Sequence, residues 1–362
     1  MDPARLSGER APEISDTHVQ FELADPERAF EQVSLCQELM RPRCGIPFER
    51  VPGEDAWQLR FPRLEVDRME YRFQVARRGR DQEQILDPGN PDRAPGPFGE
   101  KSVVEFPEYS APSWLSDEPA PDGAVTELEI PSRTLRATVA GVLWAAPGVG
   151  ERDAVPLLVA HDGLDYRDYS ALLMFLERMV AAGRLPKMRA ALLRPVHRHQ
   201  NYSTSAAYAR AVAHEILPAL EGLAPTPPGR AARVGIGASL GALAMLHVHR
   251  TNAASFGALF LQSGSFFRQR FDKIESGFVR FARIARFMGT VLGPADWPHP
   301  IPITMTCGRV EENLANNRAT HAALNVQGYD VDLIENPDAH NWVAWRDTFE
   351  PHLVDLLARV WA

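Results

Sequence analysis

The chain has little cysteine, no long apolar run and no excess of positive charge, and each shortage excludes something. Its three cysteines, Cys36, Cys44 and Cys307, form an odd set without metal-ligand spacing, which argues against a disulfide scaffold or a Cys-rich zinc centre. Cys36 and Cys44 are close enough in sequence to pair. The first residues, Met1 to Glu13, are polar and acidic and lack the apolar core of a secretory signal. The expectation is therefore reduced thiols in a cytoplasmic protein, with Cys307, inside an apolar run, as a core residue. No apolar stretch approaches the ~20 residues of a membrane span. A net charge of -8 gives no electrostatic reason to expect nucleic acid, whose backbone attracts basic faces. The eleven histidines are scattered, and the pairs His197/His199 and His247/His249 have no cysteine nearby, so neither a metal nor another cofactor is expected. No fixed-period repeat is present.

What the chain does have is size and rhythm. Its 362 residues, 45% hydrophobic and 24% charged, suffice for one large globular domain and a smaller one. Residues 1–16 read as an extended or disordered N-terminus. From 17 to 106, short alternating runs (Val19 to Leu23, Trp57 to Phe61, Met69 to Val75) predict half-buried strands of a small antiparallel sandwich. Ser102 to Phe106 is a further strand. Glu27 to Leu39 reads either as a helix or as an insertion. Residues 107–124, rich in Pro, Ser and acids, read as a linker.

From 125 to 362 the pattern changes. Two leading antiparallel strands, Val125 to Ile130 and Leu135 to Ala145, precede apolar strands that alternate with helical segments. Strands such as Pro156 to Ala160 suit burial on both faces, and the alternation calls for a mostly parallel sheet with helices outside. The first helix of this series is placed at Tyr169 to Ala182, beginning near Asp168.

Gly237-Ala238-Ser239-Leu240-Gly241 follows the apolar run Val234 to Ile236 and opens a helical stretch. Strand, tight turn and helix with serine at the apex is the context of a nucleophile elbow, where bulk beside the serine is sterically excluded. A serine hydroxyl is a poor nucleophile and needs a base, which in turn needs an orienting acid. His340 follows the strand Tyr329 to Ile334. Glu311 and Glu312 follow the strand Ile301 to Cys307. Adjacent side chains diverge, so one glutamate serves His340, and Glu311 is preferred. Ser, acid and His then stand in α/β-hydrolase order, and open parallel sheets place such groups beyond the carboxyl ends of strands. The oxyanion requires preorganised N–H donors. The amide after the nucleophile, Leu240, is one candidate; the amide of Gly163 or Leu164, in His161-Asp162-Gly163-Leu164, is the other.

These motifs together resemble the enterochelin (ferric enterobactin) esterase family, a branch of the esterase D-like α/β hydrolases that also includes mycolyltransferases. The matching residues are His161-Asp162-Gly163, Arg198-x-x-x-Tyr202, Glu215-x-Leu217-x-x-Leu220, Gly237-x-Ser239-x-Gly241, Gly308-x-x-Glu311 and His340-x-x-x-x-Trp345-Arg346. Trp57-x-Leu59-x-Phe61, Tyr71-x-Phe73 and Asp87-Pro88-x-Asn90-Pro91 resemble the immunoglobulin-like domains, related to carbohydrate-binding modules, that precede catalytic domains in several hydrolases. The resemblance implies an α/β hydrolase behind such a sandwich, with Ser239 as nucleophile, Glu311 as acid and His340 as base. The implied partner is a small-molecule ester such as a ferric siderophore, contacted near Asp162 and Arg198. The chain departs from the family at Asn201, where Glu is usual, and in Asp338-Ala339-His340-Asn341, where Gly-Gly-His-Asp is common. Arg194, His197, Arg198 and His199 form a basic loop suited to an anionic substrate, and Phe266, Phe267, Phe271, Phe278, Phe281 and Phe287 lie in an insert before Ile301. The rival readings are an acyltransferase of the same fold and a non-catalytic carbohydrate- or ligand-binding protein.

Overall fold

The computed structural model describes residues 11–116, 122–270, 272, 275–293 and 297–361. The chain divides into two compact units: Met1–Ser110 with Arg309–Glu311 and Pro337–Asn341, and Ala111–Gly308 with Glu312–Asn336 and Trp342–Ala362.

The first unit is built from strands β1 (Glu13–Ile14), β2 (His18–Ala24), β3 (Phe30–Gln37), β4 (Ile46–Pro47), β5 (Glu49–Arg50), β6 (Ala56–Pro62), β7 (Arg68–Arg77), β8 (Glu83–Ile85), β9 (Arg93–Ala94) and β10 (Lys101–Glu105). They form two antiparallel sheets, ordered β1-β2-β6-β5 and β4-β3-β7-β10-β9, with β8 paired to β7. Alternation decides what each buries. Val19, Phe21 and Leu23 of β2 meet Met69, Tyr71, Phe73 and Val75 of β7 in one core, and the Phe21 and Tyr71 rings lie 4.8 Å apart.

Two expectations are settled here. Glu27 to Leu39 is neither helix nor insertion but contains strand β3, which burial of Val33 and Leu35 on one face holds against β7. Cys36 and Cys44 are not reduced thiols; they form a disulfide with their Cα atoms 4.0 Å apart. The cause is the turn between them, folded around one side chain. Gln37 donates from Nε2 to the carbonyls of Met40 (2.6 Å) and Pro42 (2.9 Å) and accepts at Oε1 from the amides of Leu39 and Met40.

The second unit carries β11 (Ala124–Ser132), β12 (Ala137–Ala145), β13 (Leu157–His161), β14 (Arg189–Leu193), β15 (Arg233–Ala238), β16 (Ala258–Gln262), β17 (Ile303–Gly308) and β18 (Val331–Asn336). Its helices are α1 (Gly163–Ser170), α2 (Leu172–Ala181), α3 (Arg198–Tyr202), α4 (Ala206–Ala211), α5 (Leu217–Leu223), α6 (Leu240–Thr251), α7 (Phe281–Val291), α8 (Leu314–Val326), α9 (Trp342–Asp347) and α10 (Val354–Trp361). Among the described residues one eight-stranded sheet runs β11-β12-β14-β13-β15-β16-β17-β18. The pairings of β11 with β12 and of β12 with β14 are antiparallel, and those from β14 through β18 are parallel. Leu157 and Val159 pack into one layer with Met245 and Leu259. Leu158 and Ala160 pack into the other with Phe175 and Phe260. Period-two alternation on a sheet covered on both faces requires such a double core.

Part of the expected linker is ordered. Ser113–Leu115 forms a helical turn, and Trp114 is buried with its ring 5.1 Å from that of Phe175. Within the described residues no helix is long and apolar enough to cross a membrane.

Candidate active site

The carboxyl ends of three neighbouring strands, β13, β15 and β16, are each followed by a non-glycine residue at positive φ: Asp162 (51°), Ser239 (57°) and Ser263 (48°). Such backbone is costly for residues with a side chain and persists where its surroundings hold it. Three of the described positive-φ residues thus lie at the carboxyl end of neighbouring strands, where open parallel sheets place their ligands.

Ser239 joins β15 to α6 with φ 57° and ψ -120°. The closeness of strand and helix dictates the neighbouring glycine. A Cβ on Gly237 would sit 2.6 Å from the carbonyl carbon of Gly241 and 2.9 Å from the amide nitrogen of Ala242. The turn is pinned on both sides. The Ser239 amide donates to the Gln262 carbonyl at 2.8 Å, and the Ser239 carbonyl accepts from the Ser265 amide at 3.1 Å. Gln262 is itself fixed, accepting from Tyr166 Oη (2.6 Å) and donating to the Trp345 carbonyl and Thr348 Oγ1 (2.9 Å each). The half-buried Ser239 hydroxyl lies 3.1 Å from Ser265 Oγ.

His161 supports the same turn from below. Its Nδ1 donates to the Gly241 carbonyl at 3.3 Å, so its Nε2 accepts from Tyr208 Oη at 2.9 Å. Complete burial lowers its pKa to about 4, which keeps the ring neutral at pH 7.

The two amides expected to face an oxyanion stand at helix starts, where N–H groups have no intrahelical partner. Leu240 opens α6 and Gly163 opens α1. Here the sequence placed a boundary wrongly. The helix begins at Gly163, not near Asp168, and breaks at Ala171, whose φ of 49° separates α1 from α2. Packing accounts for this glycine, because a Cβ on Gly163 would lie 2.3 Å from Leu192 Cα of β14.

Asp162 and Arg198 are brought together. Arg198 Nε donates to both carboxylate oxygens at 3.0 Å, and Nη2 donates to Oδ2 at 2.8 Å. Burial raises the Asp162 pKa while Arg198 pulls against it. Arg198 therefore faces a buried carboxylate, with about a third of its side chain still exposed. Together with His197, His199, Phe278, Val279 and Arg280 it lines an open cavity of ≈ 950 Å³. Phe267 stacks on Phe281 with ring centroids 6.1 Å apart, Phe266 is core, and Phe287 packs edge-on to His247. Phe271 lies outside the described residues. The Glu215 motif ties structure together: Glu215 accepts from Ser132 Oγ and from Thr134 Oγ1.

In the first unit, His340 and Glu311 are hydrogen-bonded, Nδ1 to Oε2, at 2.7 Å. The Glu311 carboxylate is buried, with 1% of its side chain exposed, whereas His340 is a third exposed. A carboxylate only accepts, so Nδ1 carries the hydrogen and Nε2 of the neutral ring is left as the basic nitrogen. Glu312 is exposed. Of the two glutamates, Glu311 is the one bonded to His340. The segments bearing Glu311 and His340 leave the carboxyl ends of the paired strands β17 and β18.

Sequence reasoning missed Gln262, Ser263 and Ser265. Their signal was present as Gln262-Ser263-Gly264-Ser265, a polar run of mostly small residues directly after an apolar strand.

No family model matches the chain. An iron(III) enterobactin esterase from Dickeya dadantii (strain 3937) is 30% identical over 205 residues, covering 53% of this chain and 45% of that protein. The match thus spans about half of each. A ferric enterobactin esterase from Salmonella typhimurium superposes with a TM-score of 0.77 at 19% identity, covering 95% of this chain and 94% of that one. An enterobactin esterase from Shigella flexneri, solved in the presence of enterobactin, gives 0.74 at 21% identity with 98% and 97% covered. The chain therefore has the fold of these esterases over nearly its full length, an α/β hydrolase with an N-terminal sheet unit.

Proposed function

We propose that this chain is a serine esterase of the enterobactin esterase kind, hydrolysing a small-molecule carboxylic ester through an acyl-enzyme. Ser239 Oγ attacks the ester carbonyl and gives its proton to His340 Nε2, while Glu311 holds Nδ1–H and stabilises the imidazolium. The amides of Leu240 and Gly163 receive the negative charge on the carbonyl oxygen. The imidazolium returns the proton to the leaving alkoxide. Water, giving a proton to His340, then attacks the acyl-enzyme, and the imidazolium returns that proton to Ser239 Oγ as the acid leaves. What supports this reading is a strained serine pinned at the elbow in one unit and, in the other, a histidine whose Nδ1 is fixed by a buried carboxylate.

The substrate class we propose is an aryl-acyl siderophore ester, anionic or bound to iron as cargo. Support comes from the cavity beside Arg198, which combines cationic and aromatic side chains, and from the relatives' own names as enterobactin esterases. We read the two sheets of residues 17–106 as an immunoglobulin-like sandwich and residues 125–362 as the catalytic domain.

The test is a panel of tri-catecholate trilactones, simple aryl esters and short acyl esters, assayed with wild type and Ser239→Ala. The reading predicts turnover highest on the trilactones and abolished for every substrate in the variant. A variant that hydrolyses any of them at the wild-type rate overturns it.

A further inference from the structure

Strand β7 alternates, and its odd-numbered residues Met69, Tyr71, Phe73 and Val75 enter the core of the first unit. Arg68 and Glu70 therefore point to the opposite face, where charged side chains are ordinarily solvated. Both are instead buried, at 2% and 6% exposure. They belong to a series of alternating charges. Glu38 lies 2.6 Å from Lys101, Lys101 lies 3.2 Å from Glu70, Glu70 lies 3.7 Å from Arg68, and Arg68 lies 3.8 Å from Asp338. Asp338 is buried and stands two residues before His340.

Buried charges are poor stabilisers, since desolvation costs several kcal/mol per ion and apolar replacements are often neutral. What such a series supplies is location. The turn at residues 338–341 is shaped locally, with Asp338 Oδ1 accepting from the Ala339 amide (2.7 Å) and from Asn341 Nδ2 (2.9 Å). Those bonds do not tie it to anything else. The Asp67 amide holds the Pro337 carbonyl at 2.7 Å, Ala339 joins the sheet core, and Arg68 reaches the Asp338 carboxylate. Burial lifts the Asp338 pKa to about 7, with Arg68 the largest opposing influence.

We propose that Arg68 is a positioning residue for His340: held on β7 beside Glu70 and Glu105, its guanidinium fixes Asp338 and with it the turn that presents His340 to Glu311. Strand β7 thereby acts on catalysis through Asp338. This rests on His340 as the general base.

The test is run on the full chain at pH 8, where Asp338 is ionised, with Arg68→Met, Arg68→Lys, Asp338→Asn and His340→Gln. On a p-nitrophenyl ester, Arg68→Met and Asp338→Asn should lower kcat about 10- to 100-fold, the scale of a misplaced catalytic group. KM should change by less than about twofold, and Arg68→Lys should recover part of the loss. The downfield proton resonance of His340 Nδ1–H, assigned by its absence in His340→Gln, should broaden or shift in both variants. Folded Arg68→Met with wild-type kcat and an unchanged resonance overturns the proposal. Should that variant fail to fold, Asp338→Asn, nearly equal in volume, decides in the same way. An active His340→Gln would instead overturn the assignment of the base. A dead His340→Gln beside an unimpaired Arg68→Met removes the positioning role alone.

Discussion

Replacing Glu311 with Gln isolates the contribution of one carboxylate at nearly constant volume. The Nδ1–Oε2 separation is 2.7 Å and the Glu311 side chain is 1% exposed, so the bond is short and shielded from water. A charge-assisted hydrogen bond of this kind is worth about 1.5–3 kcal/mol. The substitution also threatens the tautomer. If the Gln amide presents its NH2 group, Nδ1 must accept, and the ring proton moves to Nε2, the nitrogen that has to receive the serine proton. Loss of charge together with loss of tautomer amounts to about 3–5 kcal/mol of transition-state stabilisation, or roughly 10²- to 10⁴-fold in kcat. Initial rates on a p-nitrophenyl ester, with circular dichroism as a control for folding, measure it. Glu312→Gln, at an exposed position, should stay within about threefold of wild type. If Glu311→Gln stays within that range while folded, or if Glu312→Gln is the impaired variant, the reasoning is refuted.

Three further outcomes are expected. Gly237→Ala places a methyl group 2.6 Å from backbone of α6, so it should cost about 1–3 kcal/mol of stability and slow acylation as the elbow shifts; an unchanged melting temperature would contradict the packing argument. Asp338 keeps its proton in the folded state up to a pKa of about 7, whereas the unfolded chain releases it near the ordinary value of about 3.9. Between those pH values the unfolded state binds fewer protons, so stability falls as pH rises, by up to about 1.4 kcal/mol per unit from this group. Asp338→Asn should flatten that slope in urea titrations from pH 4 to 7, and an identical slope would show that Asp338 titrates normally. Thiol titration of the denatured, unreduced chain should find one cysteine, Cys307, and three after reduction; three before reduction would exclude the Cys36–Cys44 bond.

Much of the architecture was legible because its signal is local. Alternation in β2 and β7 and the apolar runs of β13 and β16 mark half-buried and doubly covered sheets from a few residues each. The elbow was legible too, since a glycine at 237 next to a serine apex reflects a steric demand within five residues. The failures trace to a distant partner or to a backbone conformation, neither of which a side-chain pattern announces. The apolar residues of β3, Phe30, Val33, Leu35 and Cys36, do not alternate cleanly, and it becomes a strand because β7 offers it a partner. The early start of α1 turns on Asp162 adopting a positive φ, which no side-chain pattern announces. The disulfide depends on how Gln37 gathers the following turn. Glu311 and Glu312 are indistinguishable until the histidine-bearing turn has been set beside one of them. Arg68 and Glu70 read as an exposed face of β7, because nothing nearby in sequence reveals that residues 337–341 will meet it.

The central claim is that Ser239 is an activated nucleophile, and covalent labelling addresses it without knowledge of the natural substrate. A fluorophosphonate probe incubated with the full chain, followed by peptide mass spectrometry, should yield a single adduct on Ser239, much slowed in Glu311→Gln and absent in His340→Gln. No adduct on the wild-type protein, or an adduct on another serine with Ser239 unmodified, would contradict the account.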